Sequence, residues 1–275
     1  MGLHVDQRRY AKDHQSLRPR LHDVEPEAQG QLAEFCDHTL AQQAAVDLSD
    51  RTDSKYLLPI VLLPRFLREV KSGHTVLEAN DHRVFTYENT YFDTPDWAMY
   101  RDHHNGKLNR YKCRFRRYRE TDLAFFEIKH KNNRNRTIKT RVAWDSTEPK
   151  TILRDHSDLE PSLYVNYRRI SLWNRSTDER LTLDWDLRFQ RPGKPEIHRL
   201  QNIFVAELKR EGNVYGSSFV RKAKQFGYSP TGMSKYCVGV CLTASDEVKT
   251  NRFKPLMRKL NRVCGDLPET GVVSS

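Results

Sequence analysis

The sequence predicts an α+β chain, mostly antiparallel β, closed as an eight-stranded barrel with a basic interior and helices packed outside. Three observations lead there. Five segments alternate charged and apolar residues at the strand period, so each carries one charged and one apolar face. From Lys107 to Arg119 there are seven basic residues and no acidic one. Helical patterns sit at the ends of the body rather than between its strands.

The body begins near Arg51. "PIVLLPRFLREVKSG" reads as a short helix with Pro64 in its first turn and Gly73 past its end. Strand patterns follow at Val84 to Phe92, Arg110 to Arg119, Ala124 to Lys131, Thr137 to Trp144, Tyr164 to Ser171, Arg180 to Phe189 and Phe204 to Lys209. Asn105-Gly106 and "NNRN" at 132–135 mark turns. "SSFVRKAKQFG" predicts a serine-capped helix closed by Gly227, and Val248 to Val263 a basic amphipathic helix. Residues 1–49 read as a polar tail or arm with one helical stretch near Leu32 to Leu48, residues 50–265 as the folded domain, and 266–275 as a disordered tail.

Within "NRYKCRFRRYR", Arg110, Lys112, Arg114 and Arg116 share a face opposite Tyr111, Cys113 and Phe115. Same-face neighbours about 7 Å apart repel by about 0.6 kcal/mol in water and about 2.4 kcal/mol at an effective dielectric near 20. The other alternating strands add Glu127, Lys129 and Lys131; Lys139 and Arg141; Arg180, Asp184, Asp186 and Arg188; and Glu207 and Lys209. A wet outer sheet face would mix signs and include neutral polar residues. A barrel with its apolar faces outward under helices turns the cations inward, where a polyanion supplies the missing counter-charge.

The 275 residues carry a formal net charge of +11 and 37% hydrophobic residues, enough for a core and suited to an anionic partner. No stretch reaches the length of a membrane span and "MGLHVDQRRYAKDHQ" lacks a signal-peptide core, which predicts a cytoplasmic protein, at most peripheral at the inner face of a membrane. Five irregularly spaced cysteines do not form a disulfide framework, and Cys237 and Cys241 read as packing residues. His103 and His104, just before a turn, read as surface residues rather than ligands. Asp184 and Asp186 read either as metal helpers or as ion-pair partners of Arg180 or Arg188. Four dispersed tryptophans do not make a base-stacking platform, so no specific nucleic acid is expected.

Nine motifs occur in one order: "DSKYLLP" (53–59), "YFDTPDWAMY" (91–100), "KCRFRRY" (112–118), "FFEIKHK" (125–131), "TIKTR" (137–141), "YRRISL" (167–172), "RLTLDWDL" (180–187), "VAELK" (205–209) and "SKYCVG" (234–239). In order and spacing they resemble the VTC domain, the catalytic domain of the vacuolar transporter chaperone polyphosphate polymerase and a member of the CYTH-like triphosphate tunnel metalloenzymes. The resemblance covers roughly residues 50–262. It implies a tunnel holding a triphosphate or polyphosphate chain, and transfer of the terminal phosphoryl group of ATP to that chain with release of ADP.

Carried over motif by motif, the resemblance implies catalytic roles for Arg114, Arg116, Arg169 and Lys235. It implies phosphate binding by Lys55, Lys129, Lys139, Arg141, Arg180, Lys209 and Ser234, and Mn2+ or Mg2+ at Glu207. The implied partners are ATP and polyphosphate, with inositol polyphosphate or pyrophosphate as further candidates and a membrane protein as the outlet for product. The chain departs from the family pattern in two places: the acidic alternation near the start is reduced to Asp53, and Gly232 and Met233 stand where a basic residue precedes the Ser-Lys motif. A triphosphatase or polyphosphatase, a non-catalytic polyphosphate sensor and a nucleic-acid binder remain the alternative readings.

Overall fold

A computed structural model describes residues 21–44, 51–134, 136–144, 146, 158–212 and 214–264. The strands are β1 (Asp37–His38), β2 (Arg51–Pro59), β3 (Thr75–Leu77), β4 (Phe85–Asp93), β5 (Arg110–Tyr118), β6 (Leu123–Lys131), β7 (Thr137–Ala143), β8 (Glu160–Asn174), β9 (Glu179–Gln190) and β10 (Ile197–Glu211). The helices are α1 (Leu21–Ala33), α2 (Leu40–Ala44), α3 (Leu63–Val70), α4 (Ala98–His104), α5 (Ser218–Gln225), α6 (Lys235–Thr243) and α7 (Lys254–Cys264). The C-terminal tail and the outer parts of the expected N-terminal arm lie outside the described residues.

Eight strands run in the order β2-β10-β9-β8-β4-β5-β6-β7, each antiparallel to its neighbour, while β3 pairs with β8 and with the short parallel β1. The expected closure of the barrel is not shown. Strands β2 and β7 end the path, and no pairing joins them among the described residues. Part of the β2 edge is occupied instead by the segment before α6, where the Thr231 N–H donates to the Lys55 carbonyl at 2.6 Å.

Alternation sorts side chains onto two faces. The outer face of β2, β8, β9 and β10 presents Tyr56, Leu58, Ile170, Leu172, Leu181, Leu183, Phe204 and Ala206 to α1, α3 and α5. In α3, Leu63, Phe66, Leu67 and Val70 recur at helical spacing and are buried, and Phe66 meets the rings of Phe204, Phe219 and Phe226. Burying one such aromatic stabilises by about 1.5–3 kcal/mol. Ser217 caps α5 by accepting the Val220 N–H, and Gly227 follows with a φ of 78°. The segment read as an arm contributes to this core, because α1 buries Val24, Ala28 and Leu32 against it.

The inner face divides in two. At one end Leu57, Leu163, Val165, Leu187, Phe189, Ile203 and Val205 pack under α6 and α7. Helix α6 lies flush on the sheet, since a Cβ on Gly239 would stand 2.5 Å from Leu163 and 2.7 Å from Phe189. The rest of the inner face is charged. Alternation in β9 breaks at Asp186, in the left-handed region at φ 49° beside the register shift between β8 and β9. Leu187 and Phe189 therefore join the inner-face cluster, and Asp186 pairs with Arg188 and Arg199 away from Asp184. No described helix is long and apolar enough to cross a membrane.

Candidate phosphate site

Asp93 anchors the end of β4 next to α4. Its buried carboxylate accepts the N–H groups of Thr94, Met99 and Tyr100 at 2.8–2.9 Å and the hydroxyl of Tyr236, so one side chain ties β4, α4 and α6 together. Ser234 caps α6 by accepting the Cys237 N–H at 3.3 Å, and it also accepts Lys112 Nζ at 2.9 Å. The Ser-Lys segment is thereby fixed against the cationic strand β5.

Glu127 stands opposite Arg114 on one side and Arg141 on the other. Its Oε2 accepts both Nε (2.7 Å) and Nη2 of Arg114 and lies 3.9 Å from Arg116 Nη1, while its Oε1 lies 2.7 Å from Lys139 Nζ and 3.7 Å from Arg141 Nε. Burial disfavours the charged carboxylate, but Arg114, Arg116 and Lys139 outweigh it and hold Glu127 far below the usual range. Asp184 repeats the arrangement on β9. It takes Arg169 Nε at 2.5 Å, Arg169 Nη2 at 2.7 Å and Lys235 Nζ at 2.5 Å. Its acidity, too, is strengthened against burial by Arg169 and Lys235.

Glu207 differs from both. It lies 3.4 Å from Lys209 and 3.8 Å from Lys55, with no short hydrogen bond among the described residues, and 15% of its side chain is exposed against 1% for Glu127 and 0% for Asp184. Burial raises its pKa, but Lys209 and Lys55 pull it well below the ordinary value. Lys129 of β6 has no ion pair among the described residues. Burial first, then Arg114 and Lys209, pushes its ammonium well below the ordinary range. Ser234 accepts Lys112 of β5 while the adjacent Lys235 reaches Asp184 of β9 and Thr231 bonds to Lys55 of β2, so strands that are not sheet neighbours are bridged across the charged face, which curves around a hollow.

Arg114, Arg116, Lys129, Lys139 and Arg141 thus gather on β5 to β7, with Lys55, Lys209 and Glu207 across the hollow and Arg169 and Lys235 on Asp184 between them. Arg180 lies at the far end of the face, opposite Lys209 in register, and donates to the Gln43 carbonyl. Sequence reasoning missed the tyrosines that hold the arginines: Tyr91 accepts Arg114 at 3.1 Å, Tyr167 accepts Arg116 at 2.9 Å and Tyr118 accepts Arg141 at 3.0 Å. Their spacing on the cationic faces was the available signal. Asn89 completes the hold on Arg116 at 2.8 Å. His104 is buried rather than on the surface, with its Nε2 2.7 Å from Asn251 Oδ1, and His103 is held neutral, pushed down to about 3 by burial, Lys112 and Arg110. Cys237 and Cys241 pack in the apolar cluster as expected.

No group of three or more His, Cys, Asp or Glu suited to a metal occurs among the described residues. A hard divalent ion that shares its coordination with substrate phosphates needs only one or two protein carboxylates. Glu207 fits that demand because its oxygens are ionised, reach the hollow and lack the close hydrogen bonds that occupy Glu127 and Asp184. A surface cavity of about 720 Å³ beside Trp173 also has basic lining, but its Arg68 and Lys71 are paired with Glu27 and Glu34.

The VTC domain family matches residues 50–156 and 147–244, most of the chain. The chain belongs to the VTC domain family. Solved structures similar to this VTC domain include a Vibrio parahaemolyticus protein assigned as an adenylate cyclase (15% identity, TM-score 0.46, covering 69% of this chain and 98% of that one). Another is HpAC1 from Hippeastrum, assigned as an adenylyl cyclase and described as having a dominant triphosphatase activity (14% identity, TM-score 0.42, 70% and 95% covered). A third is the PH1819 protein of Pyrococcus horikoshii OT3 (12% identity, TM-score 0.42, 68% and 95% covered). Among curated proteins none matches this VTC domain significantly.

Proposed function

We propose that this VTC domain is a metal-dependent polyphosphate polymerase that passes the terminal phosphoryl group of ATP to a polyphosphate chain and releases ADP. The observation that carries this reading is the gathering of basic side chains from β2, β5, β6, β7, β8, β10 and α6 around the carboxylates Glu127, Asp184 and Glu207. Phosphoryl transfer spreads charge over equatorial oxygens, so its catalysis is chiefly positioning and electrostatic neutralisation. Arg114, Arg116, Arg169 and Lys235 stabilise the transferring group. Lys55, Lys129, Lys139, Arg141, Arg180, Lys209 and Ser234 hold the neighbouring phosphates, the arginines as forks and the lysines as point charges. Manganese or magnesium at Glu207 supplies further neutralisation of the phosphate oxygens. The acceptor is itself a phosphate, so no side-chain nucleophile is needed.

A triphosphatase is the second reading, and Met233 favours it. That side chain sinks into the apolar cluster, so the position before the Ser-Lys motif adds no cation for a long acceptor chain. Incubating purified protein with ATP and manganese separates the two: both release ADP, but a polymerase yields long chains and a triphosphatase inorganic phosphate. Arg114→Ala with Arg116→Ala, and separately Glu207→Ala, are expected to lower chain formation at least about a hundredfold, the scale of losing one preorganised charge donor. Unchanged product from the double variant would remove the site assignment.

A further inference from the structure

We infer that Glu127 is a positioning residue of the phosphate site: sunk beneath Arg114, Arg116, Lys139 and Arg141, its carboxylate sets the directions in which they meet phosphate and holds β7 to the hollow. The inference rests on the reading of the hollow as a phosphate site. The depth order supports it, since Glu127 is 1% exposed, Arg116 7%, Arg114 13%, Arg141 38% and Lys139 40%. The carboxylate lies below its cations, and a phosphate approaches from the opposite side.

The register explains why one carboxylate controls so many cations. Arg114 and Arg141 are its direct cross-strand neighbours, and Arg116 and Lys139 are diagonal to it on the same face. Glu127 separates two cationic strands that would otherwise repel across β6. Among the described residues β7 ends the sheet and pairs only with β6, so the contacts of Lys139 and Arg141 with Glu127 add a side-chain tie to its ladder. An alternative role, as an internal anion displaced from the arginines by substrate, requires the carboxylate to leave from beneath them. Its depth opposes that route.

Calorimetric titration with tripolyphosphate, without metal and at fixed salt, tests the inference alongside ATP turnover with manganese. Glu127→Gln is expected to raise the tripolyphosphate Kd at least tenfold and to raise KM more than it lowers kcat. Arg141→Gln is expected to cost less in the Glu127→Gln background than in the wild type, because Arg141 has already lost its aim. Glu127→Asp, which keeps the charge but is too short to serve both β5 and β7, is expected to weaken binding in the same direction; it carries the test should the glutamine variant not fold. Unchanged or tighter binding by the variants, or strictly additive losses in the double variant, overturns the inference. A wild type that binds no tripolyphosphate overturns the phosphate-site reading itself.

Discussion

Asp184→Asn is nearly isosteric, so its effect isolates charge from cavity formation. Asp184 is fully buried, and its partners Arg169 and Lys235 are only 13% and 12% exposed. Removing one partner of such a cluster leaves uncompensated buried charge, which costs about 3–5 kcal/mol. For a domain of this size each kcal/mol lowers the melting temperature by about 2–4 °C, so the expected fall is about 6–20 °C in thermal unfolding at pH 7 and low salt. The pH dependence has a definite sign. Arg169 and Lys235, outweighing burial, lower the Asp184 pKa from the ordinary value of 3.8, so its stabilisation is complete well above that value and is lost as pH falls through the folded-state pKa. The gap between wild type and variant is therefore constant near neutrality and narrows in acid. Adding Arg169→Met is expected to recover part of the loss, because removing both partners of a buried pair costs less than removing one. A loss below about 1 kcal/mol at pH 7 would refute the assumption that Asp184 carries the charge balance of this face.

Two further outcomes are expected. Gly239→Ala gains about 1 kcal/mol of helix propensity but drives a methyl into Leu163 and Phe189, an overpacking cost of about 1–3 kcal/mol; the net change in denaturant unfolding is destabilising or close to zero, and clear stabilisation would contradict the tight seating of α6. At alkaline pH, tripolyphosphate binding is expected to take up more proton in the wild type than in Lys129→Met, because bound anion favours an ammonium that burial, Arg114 and Lys209 disfavour. Binding then weakens as pH rises through the bound-state pKa, and calorimetry in buffers of different ionisation enthalpy reads the uptake. Equal uptake in Lys129→Met would assign the proton elsewhere.

The period-2 patterns made β5, β6, β7, β9 and β10 legible because charged residues keep to one face of each and apolar residues to the other, although on β7 the apolar Ile138 is exposed rather than covered. Helix α6 escaped because it is buried around most of its circumference, so "KYCVGVCLT" has no polar stripe to betray a period. Helix α1 carries Pro26 and Gly30 and a polar majority, yet its Val24, Ala28 and Leu32 recur every fourth residue and form the buried stripe. Closure could not be decided from alternation, which fixes faces but not whether β2 meets β7. Asp186 illustrates the other limit: strict alternation put it beside Asp184, and one left-handed residue sent it elsewhere. Of the candidate site, the cations were readable as a stripe. The division of labour among Glu127, Asp184 and Glu207 was not, because it depends on depth below the surface.

An antiparallel ribbon whose edge strands β2 and β7 do not pair with each other among the described residues must keep neighbouring chains from extending it. At β2 part of this task falls to a solid obstacle, the Thr231 segment bonded to Lys55. At β7 it falls to Lys139 and Arg141, whose repulsion discourages a like strand from docking. A roof is indifferent to ionic strength, whereas mutual repulsion fades as the Debye length shrinks from about 10 Å at 0.1 M salt to about 3 Å at 1 M. The two margins of one sheet are thus protected by means that respond differently to the medium, and concentrated salt exposes only the second.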